Sequence, residues 1–539
     1  MSVGELSYHF HVTLIVGVLV LAFVQWRYRV AVLAGMASAP GDALAVRGTP
    51  AASLASLHAI EAIPNHEDRA MAWERTVHRR VIAGWLLSVG VASVLLAITY
   101  LASGEIPVNL ARVSLTAGVY LCAVVPMVGV SLAWPWPRGA LFGVALLAAG
   151  AATTVGALLL QRSLSGEPIT FDVSRRFLDF LQLAAVVLAL PMFLILGSGV
   201  SRFRGVVPIT FAGLLVFGTA PFLGVQATRA LADSHAGGAL ILGSYGLFGH
   251  LAWHLTFLAV AVPVGWVAWK RLHVLARAYE HKRFSDVQLL ARAWWLMLVA
   301  SVASGVGSSE HAAWGAAGCV ATYVVFVFIS VRVFGWLKVT RDAPPPRNLL
   351  LLRVFGDTAR TGRLFDRIGN RWRYFGPVSV IAAPDVVART IDPGDYLHYM
   401  LGTVDETFVR SAADLQRRLD AQDTQRDPDG RFRINEFCCA DTTWQATVVE
   451  LMIRADAIVM DLRGISHERR GCEYELRQLA TFVAPQRVVL VVDDTTEVDL
   501  VRSMLGPASQ GMGMKFRKLG RSRLARTDDL FRDLLRAAH

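Results

Sequence analysis

Hydrophobic positions along this chain follow two regimes. Long, unbroken apolar runs fill the first two thirds. Short apolar runs separated by amphipathic stretches fill the rest. A bilayer span needs about 20 mostly apolar residues. Nine segments approach that length: 9–25, 81–101, 113–133, 139–160, 177–199, 206–225, 245–269, 288–306 and 313–337. The eighth is the weakest, with a short apolar core and Arg292 inside it. The run Trp134-Pro135-Trp136-Pro137-Arg138 reads as an interfacial turn with indoles at headgroup depth. The pattern predicts a multi-pass α-helical membrane domain of about nine spans over residues 1–340.

Residues 341–347 carry three consecutive prolines, Pro344, Pro345 and Pro346, which predict a stiff, extended linker. Beyond it, over 348–539, strand-length runs alternate with helical periodicity, as in a doubly wound α/β domain with a mainly parallel sheet. Five strands are expected, at Leu349–Phe355, Val378–Ala382, Arg431–Cys438, Ala457–Leu462 and Val488–Val492. Helices are expected at Thr361–Tyr374, Asp405–Gln422, Thr442–Arg454, Cys472–Val483, Glu497–Leu505 and Asp528–Ala538.

Charge separates the same two regions. The first 340 residues hold 23 Lys+Arg and 14 Asp+Glu, and the remaining 199 hold 30 and 28. That contrast excludes a single soluble domain, a disordered chain and a repeat solenoid. With the N-terminus outside, the inner loops of a nine-span plan carry 15 Lys+Arg and the outer segments 5. The positive-inside rule then places the N-terminus outside an inner (plasma) membrane and the C-terminal domain in the cytoplasm. Arg27 and Arg29 follow the first apolar run, which favours a retained signal anchor. Basic loops beside spans report topology, so no nucleic-acid partner is expected. The five cysteines form no CxxC, and reduced thiols suit a cytoplasmic domain.

Polar residues inside spans are functional suspects. Asp179 falls in the fifth span. His250 and His254, spaced to share one helix face, fall in the seventh. No third or fourth ligand is evident, so no metal site is assigned and interhelical hydrogen bonding is the plainer reading. Arg292 either pairs with Asp179 across helices or snorkels to the inner surface.

In an open parallel sheet, ligands bind outside the carboxyl ends of the strands. The residues there include Asp357, Asp441, Trp444, Asp461, Arg463, Asp493 and Asp494. Neither GxGxxG nor GxxxxGK[ST] occurs, which removes the main support for nicotinamide redox and P-loop chemistry. The densest stretch is 455–476, which reads strand, polar loop, then a helix with carboxylates in its first turn.

That stretch resembles the TIR domain, through Cys472, Glu475 and Leu476 at the start of the helix, with Gly471 where that family usually has Trp. It also resembles the nucleoside 2-deoxyribosyltransferases, which carry an aspartate after the strand, then a glycine and a helix-opening glutamate. The resemblance covers roughly 347–495 and is strongest at 455–480. It implies a flavodoxin-like fold and cleavage or transfer at the N-glycosidic bond of NAD or a nucleotide, in the kind of bacterial defence or signalling response in which TIR-like effectors act. Glu475 and Asp461 would be the catalytic residues. Glu475 would stabilise or trap a ribosyl cation, and Asp461 would hold ribose hydroxyls. Arg463 and Arg470 would meet a phosphate. Trp444 or Tyr396 would stack on a base, and Asp357 would add a further ligand contact unless it serves as an N-cap.

The residues alone leave other readings open. Carboxylates in a first helical turn also complement the helix dipole, and the helical wheel does not choose between Glu473 and Glu475. The basic run from Lys515 to Arg526 would touch anionic headgroups or form a solvated face. A non-catalytic membrane sensor or scaffold, binding a nucleotide or a protein partner or forming a homo-oligomer, stands beside the enzymatic reading. A transporter is disfavoured, because no inverted repeat of broken helices is seen.

Overall fold

A computed structural model describes residues 26–36, 66–103, 108–132, 136–165, 277–306, 312–353, 358–382, 398–399, 402–440, 442–465, 470–506, 514–518 and 525–538. It also describes isolated positions at 23, at 134 and between 237 and 275.

In the N-terminal part the described helices are α1 (His66–Ser103), α2 (Leu110–Leu121), α3 (Val124–Ser131), α4 (Trp136–Ser165), α5 (Asp286–Val306) and α6 (Ala312–Trp336). Three helices among the described residues are long and apolar enough to cross a membrane: Glu67–Ser103, Leu110–Ser131 and Trp314–Trp336. They coincide with the second, third and ninth expected spans. The weak eighth segment forms α5, and the fourth lies within α4. The expected spans at 9–25, 177–199 and 206–225 lie outside the described residues except Phe23, as does most of 245–269, so three such helices stand where about nine were expected.

Helix α1 begins well before its apolar run, with Glu67 and Asp68 in the first turn, where the helix dipole favours acid. Helices α2 and α3 are two halves of one span, broken at Cys122–Ala123. Pro126 has no N–H to donate toward Cys122, and the backbone there tightens into bonds three residues apart.

The C-terminal sheet has seven strands, not five: β1 (Leu349–Arg353), β2 (Val378–Ala382), β3 (Phe408–Val409), β4 (Ile434–Cys439), β5 (Ala457–Asp461), β6 (Val488–Val492) and β7 (Lys515–Lys518). Their order is β3-β4-β2-β1-β5-β6-β7, and every pairing is parallel. The two added strands are the edges. β3 is only two residues long, too short for a period to show. β7 is Lys-Phe-Arg-Lys, whose charges read as a basic run. Strands β1, β5 and β6 are almost entirely apolar and buried, as central parallel strands covered on both faces must be.

Helices α7 (Thr358–Trp372) and α12 (Ala525–Ala537) cover one face. Helices α8 (Ala412–Asp420), α9 (Trp444–Arg454), α10 (Arg470–Phe482) and α11 (Val498–Leu505) cover the other. The chain moves one way from β1 to β2 and the opposite way from β5 through β7. Right-handed crossovers therefore place α7 opposite α9–α11.

The α7/α12 face packs against the N-terminal helices. Leu349, Leu351, Trp372 and Phe531 share one apolar cluster with Val77, Val81 and Trp85 of α1. Arg371 of α7 donates to Glu74 of α1, and Arg536 of α12 to Glu67 at 2.7 Å. Tyr374 Oη donates to the Ser131 carbonyl at 3.0 Å. The turn before α5 docks on the loop before β4. Asp286 accepts from Arg431 at 2.5 Å and Arg373 at 3.3 Å, while Arg433 donates to the Tyr279 carbonyl at 2.7 Å. Residues 26–36 form a helix whose Tyr28, Val32 and Met36 bury against Phe408 and Tyr279, so the β3 edge is covered rather than open. The linker also packs close: Trp372 Nε1 donates to the Arg347 carbonyl at 2.9 Å, and Trp73 Nε1 to that of Arg341 at 3.2 Å.

Arg292 stacks over Phe284, 4.7 Å from its ring centre, so it reaches back toward the α5 N-terminus. Asp179, the alternative partner, lies outside the described residues, as do His250 and His254. All five cysteines are free and buried.

Candidate functional site at the carboxyl edge of the sheet

The direction of winding reverses between β1 and β5, so the crevice such sheets offer to ligands opens at their carboxyl ends. Arg353, the last residue of β1, is the register partner of Asp461, the last of β5. Asp357, after β1, lies outside the described residues. So do Tyr396, Asp441 and His467. Arg470 opens α10, but its side chain is outside the described set.

Asp461 is fully buried. Its carboxylate is gripped by Arg463 two residues on: Nε donates to Oδ1 at 2.8 Å and Nη2 to Oδ2 at 2.6 Å. This bidentate fork is the strongest geometry a carboxylate and a guanidinium can adopt. The residues read from sequence as a ribose holder and a phosphate contact are thus engaged with each other.

Helix α10 separates its two carboxylates. Glu473 faces outward and pairs with Arg477 one turn later, at 2.5 Å. Glu475 is 3% exposed on a helix whose Cys472, Leu476 and Leu479 are buried against β5. A buried carboxylate is uncommon. The wheel is symmetrical about the two residues, and tertiary packing breaks that symmetry: Glu475 is buried and Glu473 stays at the rim.

Trp444 opens α9 and meets Tyr474 of α10 edge to face, ring centres 5.4 Å apart. Burial pushes the Tyr474 phenol up. The start of α9 is fixed by Thr443, whose hydroxyl donates to the Val409 carbonyl at 2.6 Å. Tyr474 is absent from the residues singled out by sequence. Its signal is an aromatic ring directly before Glu475, visible only once α9 is known to lie alongside.

The remaining strand-end acids are engaged locally. Asp493 accepts from Thr495 N at 3.0 Å and from its hydroxyl at 2.6 Å, closing the turn after β6. Asp494 pairs with Lys518 at 2.5 Å. Cys439, at the end of β4, is pushed up to about 12 by burial, which keeps it a thiol. Lys515 and Arg517 pair with Asp533, so residues 515–518 of the basic run are an ion-paired edge strand. Among the described residues no group of His, Cys, Asp and Glu is placed to hold a metal ion.

Comparison with protein-family models, with curated proteins and with solved structures finds no match for this chain. The arrangement consists of a clasped Asp461–Arg463 pair at the switch point, and a buried carboxylate following an aromatic pair at the opening of α10.

Proposed function

We propose that the protein is a membrane-anchored α/β module that takes NAD or another nucleotide at the carboxyl edge of its sheet and cleaves or transfers at the N-glycosidic bond. The observation that carries this reading is the burial of Glu475 at the start of α10. A buried carboxylate meets a developing cation where water screens it least. In the proposed step the C–N bond breaks and its electron pair leaves with the base. Glu475 stabilises or traps the ribosyl cation, and water or an acceptor hydroxyl adds with loss of a proton. Trp444 and Tyr474 supply aromatic surface for the base.

The test uses full-length protein in detergent, with release of free base from NAD and from nucleosides as readout. Glu475→Gln abolishes turnover on this reading, and Glu473→Gln, altering a rim ion pair, leaves it within about twofold. Equal turnover in both variants would remove Glu475 from the chemistry.

A second reading, a non-catalytic sensor or scaffold, is favoured by the Asp461–Arg463 clasp and by the docking of the sheet on the membrane helices. It predicts saturable nucleotide binding without product.

The orientation proposed is N-terminus outside, with the α/β domain on the cytoplasmic face of the inner membrane. Besides the charge tally, it is supported by a gathering of segments. Residues 26–36, the start of α1, the end of α3, the turn before α5 and the residues after α6 all contact the α/β domain. A nine-span plan puts those segments on one side. Reporter fusions at 36, 106, 138 and 310 check it: 36 and 138 read cytoplasmic, 106 and 310 external.

A further inference from the structure

Four tryptophans stand at, or within three residues of, the inner ends of expected spans one, three, seven and nine, each with a cation one to four residues on. They are Trp26 with Arg27, Trp134 with Arg138, Trp266 with Lys270, and Trp336 with Lys338. Trp26, Trp266 and Trp336 are 56%, 58% and 57% exposed, and the four cations are exposed with them. Lys270 sits 3.7 Å over the Trp266 ring. Arg332 lies 4.9 Å over Phe328, which packs against Trp336 at 6.3 Å. Exposed indoles of this kind belong at headgroup depth.

These cations differ from those at the contact with the α/β domain. Arg371, Arg373, Arg431 and Arg433 each hold a carboxylate. Arg27, Arg138, Lys270 and Lys338 hold none among the described residues. Segments 26–36, 134–138, 266–279 and 328–341 contain no Asp or Glu at all. Among the described residues no carboxylate neutralises them, so they stand free to meet an anion in the surrounding medium. From this we infer that the collar between the membrane helices and the α/β domain binds anionic phospholipid headgroups, with the indoles seated between the lipids and the cations on the phosphates. The inference rests on the bilayer reading above and is independent of any chemistry at Glu475.

The experiment reconstitutes the full-length protein in phosphatidylcholine vesicles. These contain either brominated phosphatidylglycerol or brominated phosphatidylcholine at equal mole fraction, with tryptophan fluorescence as readout. The expected result is a preference of about fivefold for the anionic quencher, the factor corresponding to about 1 kcal/mol per basic side chain. In Arg27→Gln/Lys270→Gln/Lys338→Gln that preference falls toward one, while quenching by the neutral lipid is unchanged. Equal quenching of the wild-type protein by both lipids would overturn the inference and leave the bilayer reading intact. A preference retained in the triple variant would overturn it too. Quenching by neither would overturn both.

Discussion

Arg371 of α7 holds Glu74 of α1 with two hydrogen bonds, Nε to Oε1 at 2.5 Å and Nη2 to Oε2 at 2.8 Å. Its remaining nitrogen reaches Asp528 of α12 at 2.6 Å, and its guanidinium lies 4.1 Å over the Phe531 ring. One side chain thus ties α1, a helix long and apolar enough to cross a membrane, to both helices on one face of the sheet. The α/β module is clamped to the N-terminal helices rather than joined to them by the linker alone.

Glu74 is almost wholly buried, so its loss is costly. Glu74→Ala leaves the guanidinium partly buried, with Asp528 as its remaining carboxylate. The expected loss is about 3 kcal/mol, the low end for breaking a buried pair. Limited proteolysis reads it as faster cutting between 337 and 348, with the released α/β fragment still resistant. No change in cutting would show the clamp to be dispensable.

Asp286 gives the docking contact a pH dependence of definite sign. Burial pushes its carboxyl up, but Arg431 and Arg373 outweigh that and hold it well below the usual carboxylate range. A depressed folded value means the stabilisation is complete above the unfolded value, near about 4, and is lost as pH falls through the folded value. Hydrogen exchange at residues 423–433 therefore rises as pH drops below about 4, after correction for intrinsic rates. In Asp286→Asn the exchange is already raised at neutral pH and loses most of that dependence.

How much of this was legible in sequence depended on whether the partner was local. Strand β6 runs from Val488 to Val492 as the apolar run alone predicts, and α1, the α2–α3 pair and α6 coincide with expected spans. Arg431 and Arg433 read as alternating positions of a strand beginning at Arg431. In the structure β4 begins at Ile434; Arg431 and Arg433 pair with the nearby Asp429 and Asp427 and also reach across to Asp286 and the Tyr279 carbonyl. No local period carries that information, because Asp286 lies far away in sequence. Glu473 and Glu475 fail for a related reason. Their helix is symmetrical about both, and only tertiary burial distinguishes them.

Gly376 marks where the incoming linker crosses the end of α7. A Cβ there would stand 1.8 Å from the Arg347 carbonyl oxygen, with two more backbone atoms within 2.7 Å. Backbone cannot swing aside as a side chain can. Gly376→Ala should cost at least about 1–3 kcal/mol, as overpacking does. Gly369 in α7 is the control: its Cβ would make an ordinary 3.7 Å contact with Leu351. Gly369→Ala should be neutral or stabilising by up to about 1 kcal/mol. Thermal melts of the two variants in one detergent separate the cases, and equal melting points would contradict the close approach.

The Asp461–Arg463 clasp tests the nucleotide reading itself. Both partners are buried at the switch point, and Asp461→Asn keeps the shape while removing the charge that faces Arg463. The variant should lose about 3 kcal/mol, because the guanidinium keeps its burial but not this carboxylate. If Arg463 meets a nucleotide phosphate, an added nucleoside diphosphate restores part of that loss, since binding to the folded state stabilises it by mass action. The melting point of Asp461→Asn then rises more steeply with ligand than that of the wild-type protein, where phosphate must first displace Asp461. A nucleoside without phosphate produces no such difference. Parallel ligand curves for variant and wild type would mean the clasp is purely structural, and the phosphate contact would have to be sought elsewhere on the carboxyl edge.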